Sequence, residues 1–206
     1  RHAAGKTDMP IVSGEWGYPS IKDTSVDEQA DYLARMLLVN MMNRMRLSIW
    51  YDWINDGPDP DDGEHNFGTL YQDMREKPAF FAARTLMRQL EGFTYAARIS
   101  AESDKDYLLL FRRGEECRLA AWTIDTPHRI RTPLDVNLAD ISGRSWVPGG
   151  SERLETKDGW LEFGLTQSPQ YVIPLQTSRR WALEAGWNVT ASTKRTGKGV
   201  EAIVVS

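Results

Sequence analysis

Hydrophobic periodicity changes abruptly near Gly92, and the two sides of this change predict different fold classes. Before it, apolar runs at 9–16 and 46–54 alternate with two segments of helical period. An alternation of strand and helix is typical of parallel βαβ architecture, and the run at 9–16 has the composition of a buried parallel strand. After it, short strands separated by turns continue to residue 175, which is typical of an antiparallel β-sandwich.

Local signals predict where the two helices begin and end. Ser25 and Glu28 form a capping box, so we expect the first helix to start there, and the apolar side chains that follow recur every three to four residues. Pro78 opens the second helix, and Gly92 lies just past its end. The segment 55–63, rich in Asp, Pro and Gly, predicts a loop between them.

The second part contains five predicted strands, at 95–99, 107–112, 118–124, 160–165 and 171–174. Gly114 marks one turn, and Asp158-Gly159 predicts a hairpin. A last apolar strand at 200–205 belongs either to a further hairpin or to a partly ordered extension. We therefore expect three regions, at 1–93, 94–175 and 176–206.

Composition excludes several classes of function. The 206 residues carry a formal net charge of −4, which argues against binding along a nucleic acid backbone. No apolar run approaches the roughly 20 residues of a membrane-spanning helix, so we expect no membrane partner. The acidic segment around Glu64 and His65 matches no metal-ligand spacing, and no phosphate-binding loop, serine nucleophile elbow or zinc motif is present. No cofactor and no metal are therefore expected.

The only cysteine and the first residue give two smaller expectations. Cys117 cannot close an internal disulfide, and because it alternates with Leu119 in a predicted strand we expect a core thiol. The chain begins at Arg1 with neither Met nor an apolar leader, and we expect it to belong to a longer gene product.

Glu15 is the first candidate functional residue. It closes the apolar run at 9–16 and lies between Gly14 and Trp16. In a parallel barrel, side chains at the carboxyl ends of strands form the active site. A carboxylate there can act as a nucleophile, a base or a metal ligand, and the alternative is a capping or ion-pairing acid.

Trp50 is the second candidate. Alternation along the strand puts Ser48, Trp50 and Asp52 on one face. If Ser48 points into a barrel, Trp50 lies at its mouth, where an indole can stack on a sugar ring. The alternative is a core tryptophan beneath the following loop.

Several segments, in this order and spacing, resemble clan A glycoside hydrolases, near families 5 and 39. They are Ile-Val-Ser-Gly-Glu-Trp-Gly-Tyr at 11–18, Ile-Trp-Tyr-Asp-Trp-Ile-Asn-Asp-Gly at 49–57, Glu-His-Asn-Phe-Gly at 64–68, Lys-Pro-Ala-Phe-Phe-Ala at 77–82 and Thr-Gln-Ser-Pro-Gln-Tyr-Val-Ile at 166–173. The resemblance covers roughly residues 8–175. It implies the last two βα units of a TIM barrel, followed by a small antiparallel β-sandwich.

The resemblance implies a retaining glycosidase acting on a carbohydrate substrate. Glu15 matches the nucleophile of strand seven, and Trp50 matches the sugar platform of strand eight. Trp16, Tyr18 and Asp52 are weaker candidates for substrate binding. A retaining enzyme needs a second carboxylate, about 5–5.5 Å from the nucleophile, to protonate the leaving oxygen.

The second acid is missing from the pattern. In this clan it follows an Asn at the end of strand four, and the sequence contains no Asn-Glu pair. Asp52, Asp56 and Glu64 are the nearby acids, and none matches. A full barrel also needs about 200–250 residues. We therefore expect the N-terminal barrel half to come from the same gene product or another chain, and the present chain to be inactive alone.

A different class of function remains open. In this alternative the chain is a non-catalytic carbohydrate-binding or interaction module, in which the predicted sandwich and exposed aromatic side chains bind the partner.

Overall fold

The computed structural model describes residues 10–114, 116–132, 139–142, 151–154, 156–157, 160–174, 192–196 and 199–204. The helices are α1 (Val26–Met42) and α2 (Pro78–Leu90), with a 3₁₀ turn at Glu64–Asn66. The strands are β1 (Val12–Trp16), β2 (Leu47–Trp50), β3 (Thr94–Arg98), β4 (Asp106–Arg113), β5 (Glu116–Thr123), β6 (His128–Thr132), β7 (Ala139–Ser142), β8 (Ser151–Leu154), β9 (Thr156–Lys157), β10 (Trp160–Leu165), β11 (Gln170–Pro174), β12 (Ser192–Thr196) and β13 (Gly199–Val204).

The first part of the chain forms two strand–helix units. β1 pairs with β2 in parallel, and each strand is followed by its helix. The predicted capping box is confirmed: the Glu28 amide donates to Oγ of Ser25 at 3.2 Å, and the Ser25 amide donates to the Glu28 carboxylate at 2.8 Å. Pro78 occupies the first turn of α2, and Gly92, with φ +74°, lies just past its last residue.

The prediction that β1 is a buried strand is wrong. Val12 is 56% exposed, and most of the strand is exposed as well. β1 pairs with β2 along one edge, and no other described strand pairs with its second edge. The apolar composition therefore marks a strand whose covering layer is absent from the described part of the chain.

The rest of the described chain forms antiparallel sheets. The larger sheet has the order β3-β4-β5-β11-β7-β8, and a second has the order β6-β10-β9. β12 pairs with β13 in a two-stranded sheet. Gly114 lies in the turn between β4 and β5 with φ +57°, a conformation that glycine adopts without steric cost.

Three apolar clusters stack these elements in layers. The first lies between the two antiparallel sheets and includes Leu108 and Leu110 of β4 with Phe163 of β10. Alternate residues of β4, Leu109 and Phe111, turn to the opposite face and join the second cluster, against α1 and α2. The third cluster, formed by small side chains such as Ala30 and Ala79, joins the two helices.

Cys117 lies in the first cluster, so the expected core thiol is confirmed, and burial raises its pKa.

A polar contact also ties the helices to the sheets. Nε of Arg35, on α1, donates to the carbonyl oxygen of Gln167 at 2.8 Å, in the turn between β10 and β11.

Several strand predictions need correction. The strand predicted at 46–54 ends at Trp50, because the chain turns into the following loop at Tyr51. The strands β6, β7, β8, β9 and β12 had no prediction. The turn at Asp158-Gly159 lies outside the described residues, although Lys157 and Trp160 on either side of it are paired.

No helix in the described ranges has both the length and the apolar character needed to cross a bilayer. The division at 93/94 and at 175/176 stays a prediction.

Candidate functional site

Glu15 lies at the carboxyl end of β1, beside the carboxyl end of β2. The ladder pairs Glu15 with Ile49 and Trp16 with Trp50, after an irregularity between Ser13 and Glu15. The amide of Tyr51 then donates to the carbonyl oxygen of Trp16 at 2.9 Å. The two strand ends are thus joined directly after Glu15, and its side chain is exposed.

The two faces of this parallel pair differ. Oγ of Ser48 accepts a hydrogen bond from Nδ2 of Asn40 on α1 at 2.9 Å, so Ser48 faces the helices. Trp50 faces the same way and packs against the cluster between α1 and α2. Leu47 and Ile49 alternate with them and are about half exposed on the opposite face. The pairing with Ile49 puts Glu15 on that opposite face.

Glu15 and Trp50 therefore lie on opposite faces of the strand pair, and the role of Trp50 as a sugar platform stays a prediction. Nε1 of Trp50 donates to the carbonyl oxygen of Phe67 at 3.3 Å, in the loop that follows β2. This contact, together with the packing against the helices, favours the alternative of a core tryptophan beneath the loop. The alternation along β2 was predicted, but which face points at the helices could not be read from it.

Trp16 and Tyr18, together with Glu15, line a cleft of about 510 Å³. Its other wall is α1, which contributes Tyr32 and Arg35. The ring centres of Trp16 and Tyr18 lie 6.2 Å apart, and those of Tyr18 and Tyr32 lie 4.5 Å apart. The ladder pairs Trp16 with Trp50, so Trp16 turns to the helix side of the strand pair, whereas Glu15 turns to the other side.

Asp52 does not line this cleft. Its carboxylate accepts a hydrogen bond from the amide of Trp53, and its own amide donates to the carbonyl oxygen of Phe67 at 3.2 Å. Nearby, the hydroxyl of Tyr51 donates to Asp56 at 3.2 Å, and the negative charge of Asp56 raises the pKa of Tyr51. These acids shape the loop after β2.

The acidic segment around Glu64 is also structural. The carboxylate of Asp59 accepts the amide of Asp61 at 3.0 Å, and that of Asp62 accepts the amide of Glu64 at 3.0 Å. Among the described residues, no three His, Cys, Asp or Glu side chains are grouped so as to hold a metal ion.

Sequence reasoning missed Lys77, which lies at the N-terminus of α2. Its side chain is 0% exposed, and its Nζ lies within hydrogen-bonding distance of side chains from both loops that follow β1 and β2. Burial lowers the pKa of Lys77 to about 8. Lysine is almost never fully buried without a charged partner, and nothing in the sequence around it signals such burial.

Solved structures with a similar fold are glycoside hydrolases. A family 39 glycoside hydrolase from the gut symbiont Bacteroides cellulosilyticus WH2 is 30% identical, with a TM-score of 0.70 over 83% of this chain and 35% of that protein. A family 30 endoxylanase from Clostridium papyrosolvens C71 is 12% identical, with a TM-score of 0.56 over 84% of this chain and 42% of that protein. The family 30 subfamily 8 xylanase Xyn30A from Clostridium acetobutylicum is 11% identical, with a TM-score of 0.54 over 84% and 43%.

No family model and no curated protein sequence matches the chain. The present chain spans less than half the length of these solved structures. Clan A glycoside hydrolases have TIM barrels, and a match to only part of each fits a partial barrel. The resemblance indicated by the sequence is therefore confirmed, and in sequence and fold this chain is similar to a part of the clan A glycoside hydrolases.

Proposed function

We propose that the chain supplies the last two βα units of a TIM-barrel retaining glycoside hydrolase, together with an appended β-sandwich, and that Glu15 is its nucleophile. Residues 1–93 would belong to the barrel, 94–175 to the sandwich, and 176–206 to an additional hairpin or extension. The observation that carries the proposal is the position of Glu15. It ends a parallel strand on the face that points away from the helices, and in a TIM barrel that face would be the interior.

The exposed apolar residues of β1 and β2 support the same proposal. Val12, Leu47 and Ile49 are each about half exposed, although they have the composition of barrel-filling side chains. Six further strands would cover this face, and the part of the barrel that they form would also carry the second carboxylate. That half is the partner we propose, and it would come from the same gene product or another chain.

The chemistry requires an ionised carboxylate. Glu15 would attack the anomeric carbon and form a glycosyl-enzyme, while the second acid protonates the leaving oxygen. Water would then hydrolyse the intermediate with that acid acting as a base. Trp16 and Tyr18, which follow Glu15 at the carboxyl end of β1, are the substrate-binding side chains that the resemblance implies, and we retain them as part of the proposal. Trp50 and Asp52 would contribute indirectly, by fixing the loop that follows β2.

The experiment is an exchange of Glu15 for Gln in the reconstituted full barrel. The amide keeps the shape of the side chain but cannot form the glycosyl-enzyme, so turnover should nearly vanish while the fold and ligand binding persist. Glu91→Gln is a matched control, since Glu91 is an exposed glutamate at the C-terminus of α2, away from the strand ends.

Azide offers a second readout. In Glu15→Gly, azide should restore part of the turnover and give a product of inverted anomeric configuration, because the small anion replaces the carboxylate. Near-normal turnover by Glu15→Gln, or robust activity of the 206-residue chain alone, would refute the proposal.

The alternative of a carbohydrate-binding module receives less support. In the described part of the two large antiparallel sheets, the aromatic side chains Trp122, Phe163 and Tyr171 are buried in the core. Trp160 is partly exposed, and the Arg131 guanidinium covers its ring at 4.7 Å. Sugar binding by the sandwich alone would favour this alternative.

A further inference from the structure

Nζ of Lys77 is surrounded by four oxygen acceptors, all of them neutral. It lies 2.8 Å from Oδ1 of Asn55, 3.0 Å from Oγ of Ser20, 3.1 Å from the carbonyl oxygen of Asn66 and 3.4 Å from Oε1 of Gln29. Within the described part of the chain, no carboxylate pairs with this amine. The group is thus held by polar neighbours rather than by an ion pair.

The neighbouring amides are oriented so that each turns its oxygen to Nζ and its nitrogen elsewhere. Nε2 of Gln29 donates to the carbonyl oxygen of Tyr18 at 2.8 Å and to that of Phe67 at 3.2 Å. Nδ2 of Asn55 donates to Oδ1 of Asn66 at 3.0 Å. Every donor in this cluster has an acceptor, and such a fully satisfied buried network specifies one local arrangement.

The elements that meet at Nζ are those next to Glu15. Ser20 belongs to the loop that follows β1, whereas Asn55 and Asn66 belong to the loop that follows β2. The loops also meet directly, because the amide of Ser20 donates to the carbonyl oxygen of Asn66 at 3.1 Å. Lys77 therefore has its contacts where the two strand ends are joined.

We infer that Lys77 is a positioning residue, whose buried Nζ joins the loops after β1 and β2 into one unit and so fixes the strand ends on which Glu15 lies. The joining of the loops stands on the contacts alone, whereas the consequence for catalysis rests on the proposed function of Glu15.

The two loops joined by Lys77 should separate less readily as the pH rises. Burial lowers the pKa of Lys77 to about 8, whereas an exposed lysine has a pKa of about 10.4. Opening of the loops between pH 8 and pH 10 therefore takes up a proton, and raising the pH from 8 to 10 disfavours opening by about thirty- to fortyfold. The one titratable group with a contact to Nζ in the described structure is Tyr71, whose ring centre lies 5.4 Å away.

Limited proteolysis of the 206-residue chain tests this inference. A protease of broad specificity that is active from pH 7 to 10 should cleave the segment 51–77 slowly in the wild type, and more slowly at pH 10 than at pH 7. Rates are divided by the rate for an unstructured reference peptide. Lys77→Met removes every hydrogen bond of Nζ, so cleavage should rise at least about tenfold and its ratio to the reference should lose the pH dependence.

Two further variants complete the test. Lys22→Met removes an exposed lysine from the loop after β1 and should leave the cleavage rate unchanged. Ser20→Ala removes one acceptor of Nζ, together with the long hydrogen bond that its hydroxyl donates to the carbonyl oxygen of Asn66. It should raise cleavage severalfold while the pH dependence remains. If Lys77→Met does not fold, Ser20→Ala decides the question alone.

Cleavage of Lys77→Met at the rate of Lys22→Met would overturn the inference, as would wild-type rates in Ser20→Ala. Because no turnover is measured, the outcome is independent of Glu15→Gln.

Discussion

Gly17 occupies a position where the loops after β1 and β2 come too close for any side chain. A Cβ atom added there would lie 2.9 Å from Cδ1 of Phe67 and closer still to the carbonyl oxygen of Tyr51. The φ angle of Gly17 is not positive, so the requirement is for space rather than for a left-handed backbone. Because Tyr51 contributes backbone, the clash cannot be relieved by rotating a side chain.

The cost of Gly17→Ala follows from these contacts. Overpacking of a closely packed site costs about 1–3 kcal/mol. Parting of the loops would also weaken the hydrogen bond of 2.9 Å between the Tyr51 amide and the Trp16 carbonyl oxygen, which contributes about 0.5–1.5 kcal/mol. Together they predict a loss of about 1.5–4.5 kcal/mol in the free energy of unfolding.

Urea unfolding measures this loss, with Gly14→Ala as the matched control. Gly14 lies in the same strand, but no atom lies within 4 Å of a Cβ added there. Gly14→Ala should therefore change the free energy of unfolding by less than about 1 kcal/mol. Equal stability of the two variants would refute the inference that close approach of the loops excludes a side chain at Gly17.

Two other predictions concern the antiparallel sheets. Nδ1 of His128 lies 2.9 Å from the carbonyl oxygen of Thr126 and Nε2 lies 3.1 Å from Oδ2 of Asp106, and these acceptors raise the pKa of His128 above its usual 6.5. This stabilisation is fully present below pH 6.5 and is lost as the pH rises through the raised pKa. His128→Asn should therefore lower the free energy of unfolding at pH 5 but not at pH 9. The loss at pH 5 should be less than about 1 kcal/mol, because the ring is 37% exposed and solvent screens the interaction. Leu109→Ala, at a fully buried position, should cost about 2–5 kcal/mol in urea unfolding, whereas Leu47→Ala, half exposed, should cost less than about 1 kcal/mol; equal losses would contradict the burial assigned to Leu109.

The helices and the apolar strands were predictable because their signals are local. Ser25, Glu28 and Pro78 mark the helix ends through contacts within one turn, and the strand predicted at 160–165 agrees with β10. The strand β6 was missed because its arginines are exposed and alternate with a single isoleucine, so the segment lacks the apolar run that marked the other strands.

The site was predictable only in part, for a different physical reason. Glu15 was found from its position at the end of an apolar run, and the structure puts it at a strand end. The face to which Trp50 points depends on which side the helices pack, and that is a tertiary contact. Lys77 is buried because four acceptors from distant segments converge on it, and no local pattern encodes that convergence.

The open edge of β1 and the proposed chemistry of Glu15 both require the remaining strands of a barrel. An apolar strand with an unpaired edge in the described structure exposes backbone amides and carbonyls to pairing with another strand. In a TIM barrel the neighbouring strand satisfies that edge, and the remaining strands cover Val12, Leu47 and Ile49. Parallel pairing aligns the carboxyl ends of all strands, so the contact that would bury this apolar face would also bring a second carboxylate to the end of the barrel that holds Glu15. Completion of the core and completion of the proposed catalytic pair are therefore one structural event.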